Sequence, residues 1–191
     1  MRRIDIGCGV RPRDGYESVD IRPLSGVQHV CSADNLPFAP ESIDAIYSRH
    51  LIEHLTIKEF LVTLTEWSRV LKEDGELYIV CPNVLWHFTQ VIEGTHASFY
   101  KKESGENARY WGFGSIYGWQ QDEYDIHKFG YYFDLLKDIL EEFGFADIID
   151  LTNASEGLEH APHHLEVRAT RVTAAPAPQH SRFWNHLEST H

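Results

Sequence analysis

The sequence has few of the features that mark secreted, membrane or nucleic-acid-binding proteins. Its three cysteines, Cys8, Cys31 and Cys81, show no disulfide spacing, which favours reduced thiols and a cytoplasmic protein. No apolar run approaches the roughly 20 residues of a membrane span, and the N-terminus shows no signal-peptide pattern. Basic residues number 17 against 29 acidic ones, a net charge of −12, and no basic run occurs. We therefore expect no nucleic-acid or membrane partner.

The rest of the composition is typical of one soluble globular domain. The chain has 191 residues, of which 42% are hydrophobic and 24% are charged. We place this domain at residues 1–172. Residues from about 84 to 130 form an aromatic-rich insertion, and residues 173–191 form an Ala/Pro-rich tail that we expect to be mobile.

Strand-like and helix-like segments alternate along the domain. Seven short runs have strand character: "RRIDI", "YESVDIR", "VQHVCSAD", "SIDAIYS", "ELYIVCP", "FADIIDL" and "HLEVRATRV". Thr56 and Glu59 have the spacing of a capping box, and the helix that they open ends at Asp74-Gly75. A second helix carries apolar residues from Leu135 to Phe143. The alternation predicts a mostly parallel sheet, whose first two connections are too short for full helices.

A glycine turn and two acidic residues mark one edge of this sheet. "IDIGCG" runs from the first strand into G-x-G, which lets the backbone turn tightly and approach a ligand. Asp20 ends the second strand, where a carboxylate could accept hydrogen bonds from ribose hydroxyls. Asp34, followed by Asn35 and Leu36, ends the third strand, where an adenine would lie.

In this order of motifs the chain resembles a class I S-adenosylmethionine-dependent methyltransferase of the small, seven-stranded kind. The matching pieces, from residue 3 to residue 145, are "IDIGCG", "SVDI", "ADNLPF", "SIDAIYSRHLIEHL", "EWSRVLKEDGELYIVCPN" and "HKFGYYFDLLKDILEEFGF". The resemblance implies a Rossmann-like α/β fold with an antiparallel last strand, helices on both faces and shortened helices near the first strands. It also implies S-adenosylmethionine as the cofactor.

The resemblance assigns cofactor contacts to eleven residues. The turn around Gly7, Cys8 and Gly9 would pass the methionine part, with Asp5 supporting the turn or reaching the amino group. Asp20, with Ile21 beside it, would bind the ribose, and the adenine would lie against Asp34, Asn35 and Leu36. Arg49 and His50 would face the methionine and the sulfonium.

Two candidates for a catalytic base follow from the residues themselves. Transfer of a methyl group to a hydroxyl requires loss of a proton, and an imidazole is a suitable acceptor. His127, just before the second helix, and His54 are the candidates, each with a structural histidine as the alternative. We expect O-methylation of a small molecule or saccharide, with the aromatic insertion as a lid or as a small core of its own. Trp111, Trp119 and Tyr124 are its residues of interest.

Other features of the sequence raise three alternative functions. Arg11 replaces the third glycine of the family's G-x-G-x-G, so a non-catalytic methyltransferase-like binding protein is one alternative. The missing glycine disfavours an NAD-dependent dehydrogenase. "HLIEH" matches the H-x-x-E-H of inverted zinc peptidases, but it lies at a strand-to-helix junction rather than inside a helix, so we interpret it as a coincidence and expect no metal site. His160, His163 and His164 favour a solvated turn over a metal site.

Overall fold

A computed structural model gives the fold, and it describes residues 1–95, 108–155, 157–158 and 161–189. Seven strands form one sheet, in the order β3-β2-β1-β4-β5-β7-β6. Their bounds are β1 Arg3–Ile6, β2 Glu17–Asp20, β3 His29–Val30, β4 Ile43–Arg49, β5 Leu71–Pro82, β6 Phe145–Asp150 and β7 His164–Arg171. β7 pairs antiparallel with both β5 and β6, and the other pairs are parallel. The α/β Rossmann-like fold with an antiparallel last strand is confirmed.

Five α-helices are described: α1 Ile57–Val70, α2 Val84–Glu93, α3 Ala108–Tyr117, α4 Phe133–Glu142 and α5 Arg182–Ser189. The capping box predicted for α1 is present, because Thr56 and Glu59 exchange side-chain and backbone hydrogen bonds. β5 starts at Leu71, directly after α1, whereas the sequence predicted a strand only after Gly75. Leu71 pairs with Ile43 before the register shifts, so the residues around Asp74-Gly75 form an irregularity inside the strand.

The main core lies between one face of the sheet and helices α1 and α4. Alternate strand residues such as Ile4, Ile46 and Ile79 pack there against Trp67 and Leu140, all at most 1% exposed. We expected helices on both faces, but no helix packs on the second face within the ranges that the structure covers. A small cluster around Tyr47 and Tyr78 lies there instead, beneath residues from the connecting loops.

The short connections between the first strands explain why helices do not cover the second face of the sheet there. Residues 7–16 join β1 to β2 and contain no helix, and residues 21–28 join β2 to β3 in the same way. Tyr16, from the first of these loops, packs with its ring 6.2 Å from that of Tyr47. Neither loop is long enough for a helical crossover, so loop side chains such as Tyr16 cover this face of the sheet instead.

The C-terminal segment is not the free arm that the sequence suggested. The Ala175 N–H donates to the Ser68 hydroxyl of α1 at 3.0 Å, and the Arg182 N–H donates to Glu142 of α4 at 2.7 Å. Ser181 is fully buried, and α5 packs Phe183 and Trp184 beside the main core. These hydrogen bonds and the packing of its apolar side chains hold the tail against α1 and α4.

Candidate functional site

The sheet register brings the predicted cofactor residues to one edge. Ile6 of β1 pairs with Val19 of β2 on one side and with Ser48 of β4 on the other. The next residue in each chain segment is Gly7, Asp20 or Arg49, so these three lie side by side at the carboxyl ends of parallel strands. Ligands of open α/β sheets bind at this edge.

The glycine turn that follows β1 depends on glycine at two positions. Gly7 has φ +74° and Gly9 has φ +57°, both in the left-handed region. A Cβ atom on Gly7 would lie only 3.0 Å from the Cβ of Leu51, whereas one on Gly9 would have ordinary contacts. Asp20 holds the turn from the neighbouring strand, because the Gly9 N–H donates to its carboxylate at 2.8 Å.

Asp20 is buried yet remains ionised. Burial raises its pKa, but hydrogen bonds from the backbone and side chain of Arg22 and from Gly9 outweigh that effect, so the pKa of Asp20 lies below its usual value. Only 5% of Asp20 is exposed. A carboxylate has about four acceptor positions, and Arg22 and Gly9 use three of them.

A cleft of about 350 Å³ opens beside this edge. Its walls include five of the predicted cofactor residues, Gly7, Asp20, Ile21, Asp34 and His50, together with the candidate base His54. A smaller cavity of about 240 Å³ adjoins it at Gly7 and is lined by three more predicted residues, Asp5, Cys8 and Arg49. The structure thus brings most of the predicted cofactor residues around two neighbouring cavities.

The remaining predicted cofactor residues lie outside both linings. Gly9 faces Asp20 through its N–H, and exposed Asn35 closes a turn with its N–H on the Ser32 carbonyl at 3.1 Å. Leu36 is 5% exposed and packs in the main core. Its N–H donates to Glu66 at 2.7 Å, so this backbone group is already used within the protein.

A buried carboxylate, Glu53, organises the histidine side of the cleft. It is 1% exposed and accepts a hydrogen bond from His50 Nδ1 at 2.9 Å. Burial works against its charge, but that hydrogen bond and the charges of His50, His54 and His127 prevail, so the pKa of Glu53 is lowered. Glu53 was absent from the predicted site, although its place in H-x-x-E-H was visible.

The two candidate bases meet beside Glu53. The rings of His54 and His127 lie 4.8 Å apart in an edge-to-face arrangement. Burial is the main cause that lowers the pKa of His127, partly offset by the charge of Glu53. The residues after His127 are tied to the same turn, since the N–H groups of Lys128 and Phe129 donate to the Glu53 carbonyl at 2.7 and 3.2 Å.

The His50 backbone is strained at this place. Its φ is +51°, a left-handed conformation that is uncommon for a residue other than glycine. Its N–H donates to the Val80 carbonyl at 2.8 Å, and its side chain is held by Glu53. Both bonds fix the turn that carries the chain from β4 into the cleft, where strained residues often serve function.

His163 lies in the turn that leads into β7, and His164 is the first residue of that strand. The His164 ring lies 4.9 Å from that of His50 and 4.2 Å from that of His163, and both residues are half-buried. His160 lies outside the described residues. His163 pairs its carbonyl with the Asn83 N–H at 2.9 Å, which places this segment against the end of β5. Sequence spacing could not show this contact, because it joins distant parts of the chain.

The residues of interest in the aromatic insertion differ in their surroundings. Tyr124 is 45% exposed and lines the cleft, with the Arg22 guanidinium 5.4 Å from its ring centre. Trp119 instead packs against Gly114 of α3. The approach is so close that a Cβ atom on Gly114 would lie 2.7 Å from the Trp119 ring. The side chain of Trp111 lies outside the described residues. Arg22 was also missing from the predicted site.

Comparison with known proteins agrees with this geometry. Residues 16–79 match the family model of a methyltransferase domain, and this range holds Asp20, Asp34 and the Glu53 turn. No protein of curated function matches the chain in sequence. This match, which spans about a third of the chain, and the fold shared with solved methyltransferases support a class I S-adenosylmethionine-dependent methyltransferase. The same findings indicate S-adenosylmethionine as the cofactor.

Solved structures of this class share the fold at low sequence identity. A methyltransferase from Archaeoglobus fulgidus has a TM-score of 0.57 and 19% identity, over 88% of this chain and 86% of its own. A methyltransferase from Methanosarcina mazei has a TM-score of 0.54 and 16% identity, over 90% of this chain and 92% of its own. A methyltransferase from Thermotoga maritima has a TM-score of 0.52 and 18% identity, over 89% of this chain and 82% of its own. At identities this low, the likeness to these structures shows the fold of the chain and does not identify its acceptor.

No helix among the described residues is long and apolar enough to cross a membrane.

Proposed function

We propose that this methyltransferase methylates an oxygen atom of a small molecule or saccharide. The observation that carries the proposal is the single cleft that runs from the acidic pair Asp20 and Asp34 to the imidazole of His54. Bound S-adenosylmethionine supplies a methyl group on a sulfonium. The protein then has to position the acceptor in line with that group and remove its proton.

The cofactor fits the chemistry of the two cavities. Asp20 has one acceptor position left for a ribose hydroxyl, and exposed Asp34 can accept from an adenine amine. In the smaller cavity, Asp5 matches an ammonium group and Arg49 a carboxylate, the two charges of a methionine end. The left-handed backbone at Gly7 lets a ligand approach the turn closely.

In this proposal His54 or His127 takes the proton of the acceptor hydroxyl. The His54 Nδ1 lies 3.3 Å from the Ile126 carbonyl. Since a carbonyl only accepts, Nδ1 carries the hydrogen and the neutral ring keeps a lone pair on Nε2. The centre of the His127 ring lies 4.8 Å from that of His54, and nearby Glu53 stabilises the positive charge that follows proton uptake.

The lining of the cleft suits an uncharged polar acceptor. Glu59 and Glu123 add acceptors for hydroxyl hydrogens, and Lys128 adds a donor. Exposed Tyr124 offers an aromatic face of the kind on which sugar rings and flat molecules stack. These features support a saccharide or small alcohol as the acceptor.

The test is transfer of a labelled methyl group. The protein would be incubated with methyl-labelled S-adenosylmethionine and a panel of saccharides, phenols and aliphatic alcohols, followed by chromatography of the products. We expect one acceptor class to gain a methyl ether. Replacing the histidine that takes the proton, by His127→Ala or His54→Ala, should lower turnover about 10²–10⁴-fold. The control His180→Ala, an exposed histidine of the tail, should keep wild-type turnover.

The alternative is a methyltransferase-like protein that binds the cofactor without turnover. It is favoured by the Arg22 guanidinium, which already bonds Asp20 at 3.2 Å, and by the lack of a helix after the glycine turn in residues 7–16. Cofactor binding with no labelled product across the panel would support this alternative. Labelled product at nitrogen or carbon alone would reject O-methylation.

A further inference from the structure

Three side chains beside the cleft converge in the manner of a metal site. Glu53, His54 and His127 each offer one ligand atom, and these atoms all lie within 4.8 Å of one another. Glu53 and His54 are neighbours in the 3₁₀ turn Ile52–His54, while His127 comes from the loop before α4. The two backbone bonds from Lys128 and Phe129 to the Glu53 carbonyl hold the loop against the turn.

One oxygen of Glu53 is buried without a partner. Oε1 accepts from His50, but Oε2 has no hydrogen-bond partner although the residue is 1% exposed. A buried carboxylate oxygen that has lost its water costs free energy unless a donor or a cation replaces it. A metal ion between this oxygen and the two imidazoles would supply that partner.

Both imidazoles are oriented as metal-binding histidines usually are. The His54 Nδ1–H donates to the Ile126 carbonyl, and one ring nitrogen of His127 bonds the Ser115 backbone. Histidine ligands of metals nearly always donate their other ring N–H to a carbonyl or carboxylate, which fixes the tautomer. In each ring this leaves one nitrogen with a lone pair for an ion.

We propose that Glu53, His54 and His127 bind a divalent transition-metal ion of the zinc class. Two imidazoles and one carboxylate with an open fourth position are a common ligand set for such ions. Ligand atoms around tetrahedral zinc lie about 3.3 Å apart, given bonds of about 2.0–2.1 Å, so binding draws the three side chains inward. Of the three ligands, His54 lines the cleft.

This site differs from that of the inverted zinc peptidases. There, both histidines of H-x-x-E-H are ligands and the glutamate is the base. Here His50 is the hydrogen-bond donor to Glu53, and Glu53 itself becomes a ligand together with a histidine 73 positions further along than His54. The ion would occupy the nitrogens that take the acceptor proton in the proposed reaction. The metal-bound form is therefore inhibited toward hydroxyl acceptors, and a chelator restores it.

The experiment measures Co²⁺ binding to the purified protein without cofactor. Visible absorption of bound Co²⁺ reports ligand type and geometry, and Zn²⁺ is then added as a competitor. We expect one ion per chain, displaced by Zn²⁺. Glu53→Gln and half-buried His127→Asn should each weaken binding by at least about tenfold. His164→Asn is the matched control, because His164 touches His50 but is not among the three ligands, and it should bind like the wild type.

Several results would overturn the proposal. They are binding only at millimolar Co²⁺, unchanged binding in both ligand variants, or an equal loss in His164→Asn. Circular dichroism of each variant distinguishes a lost ligand from a lost fold, and His127→Asn decides if Glu53→Gln does not fold. Calorimetry with S-adenosylhomocysteine on the same samples separates this proposal from the proposed function, since metal binding requires neither the cofactor nor an acceptor.

Discussion

Gly7→Ala tests the glycine turn on which the cofactor site depends. A non-glycine residue in the left-handed region costs roughly 1–2 kcal/mol, and Gly7 has φ +74°. The new Cβ would also lie 3.0 Å from the Cβ of Leu51, with two more Leu51 atoms at 3.2 Å. Overpacking of this kind costs typically about 1–3 kcal/mol. We therefore expect Gly7→Ala to lower the free energy of unfolding by about 2–5 kcal/mol.

The assay is urea unfolding followed by circular dichroism, with Gly9→Ala as the matched control. Gly9 lies in the same turn at φ +57°, but its added Cβ would meet nothing closer than 3.8 Å. The control should lose only the backbone part, about 1–2 kcal/mol. Adding Leu51→Ala to Gly7→Ala should cost less than Leu51→Ala alone costs, because it removes two of the three crowding atoms, Leu51 Cδ1 and Cδ2. Equal losses for the two glycine variants would refute the role given to Leu51.

Two further predictions concern an ion pair and the aromatic insertion. The hydrogen bond from Arg2, and next the contact with His29, lower the pKa of Glu17 to about 2. Ionised Glu17 therefore stabilises the fold fully above its unfolded pKa near 4.5, and this stabilisation is lost as pH falls toward 2. Glu17→Gln should cost less than about 1 kcal/mol at pH 7 and less still at pH 3 in urea unfolding; a larger cost at pH 3 would contradict this. Tyr124→Leu should leave the unfolding free energy within about 0.5 kcal/mol but weaken acceptor use, while Trp119→Leu should destabilise by about 1–3 kcal/mol; the reverse pattern would exchange their roles.

The parts of the fold that depend on local signals could be predicted. The capping box at Thr56, the strand that ends at the glycine turn and the apolar spacing of α4 are each encoded within a few neighbouring residues. The thin cover near β1 to β3 followed from loop length alone. Asp20 and Asp34 could be placed at one edge because parallel strands end there together.

The parts that depend on distant contacts could not be predicted. Glu53 gains its role from His127, which joins it from a loop 74 residues away. The tail docks through Ser68 and Glu142, and no local pattern in "TAAPAPQHS" specifies those partners. Leu36 illustrates the same limit, because only the tertiary structure shows that its N–H bonds Glu66.

The most direct test of the account is a calorimetric titration with S-adenosylhomocysteine. Wild-type protein and the control Asp14→Ala, an exposed loop residue, should bind one molecule with micromolar affinity. Asp20→Ala removes hydrogen bonds to a charged group worth about 1.5–3 kcal/mol each, so its affinity should fall at least about tenfold. No binding by the wild type at millimolar ligand, or equal affinity in Asp20→Ala, would contradict the placement of the cofactor in this cleft.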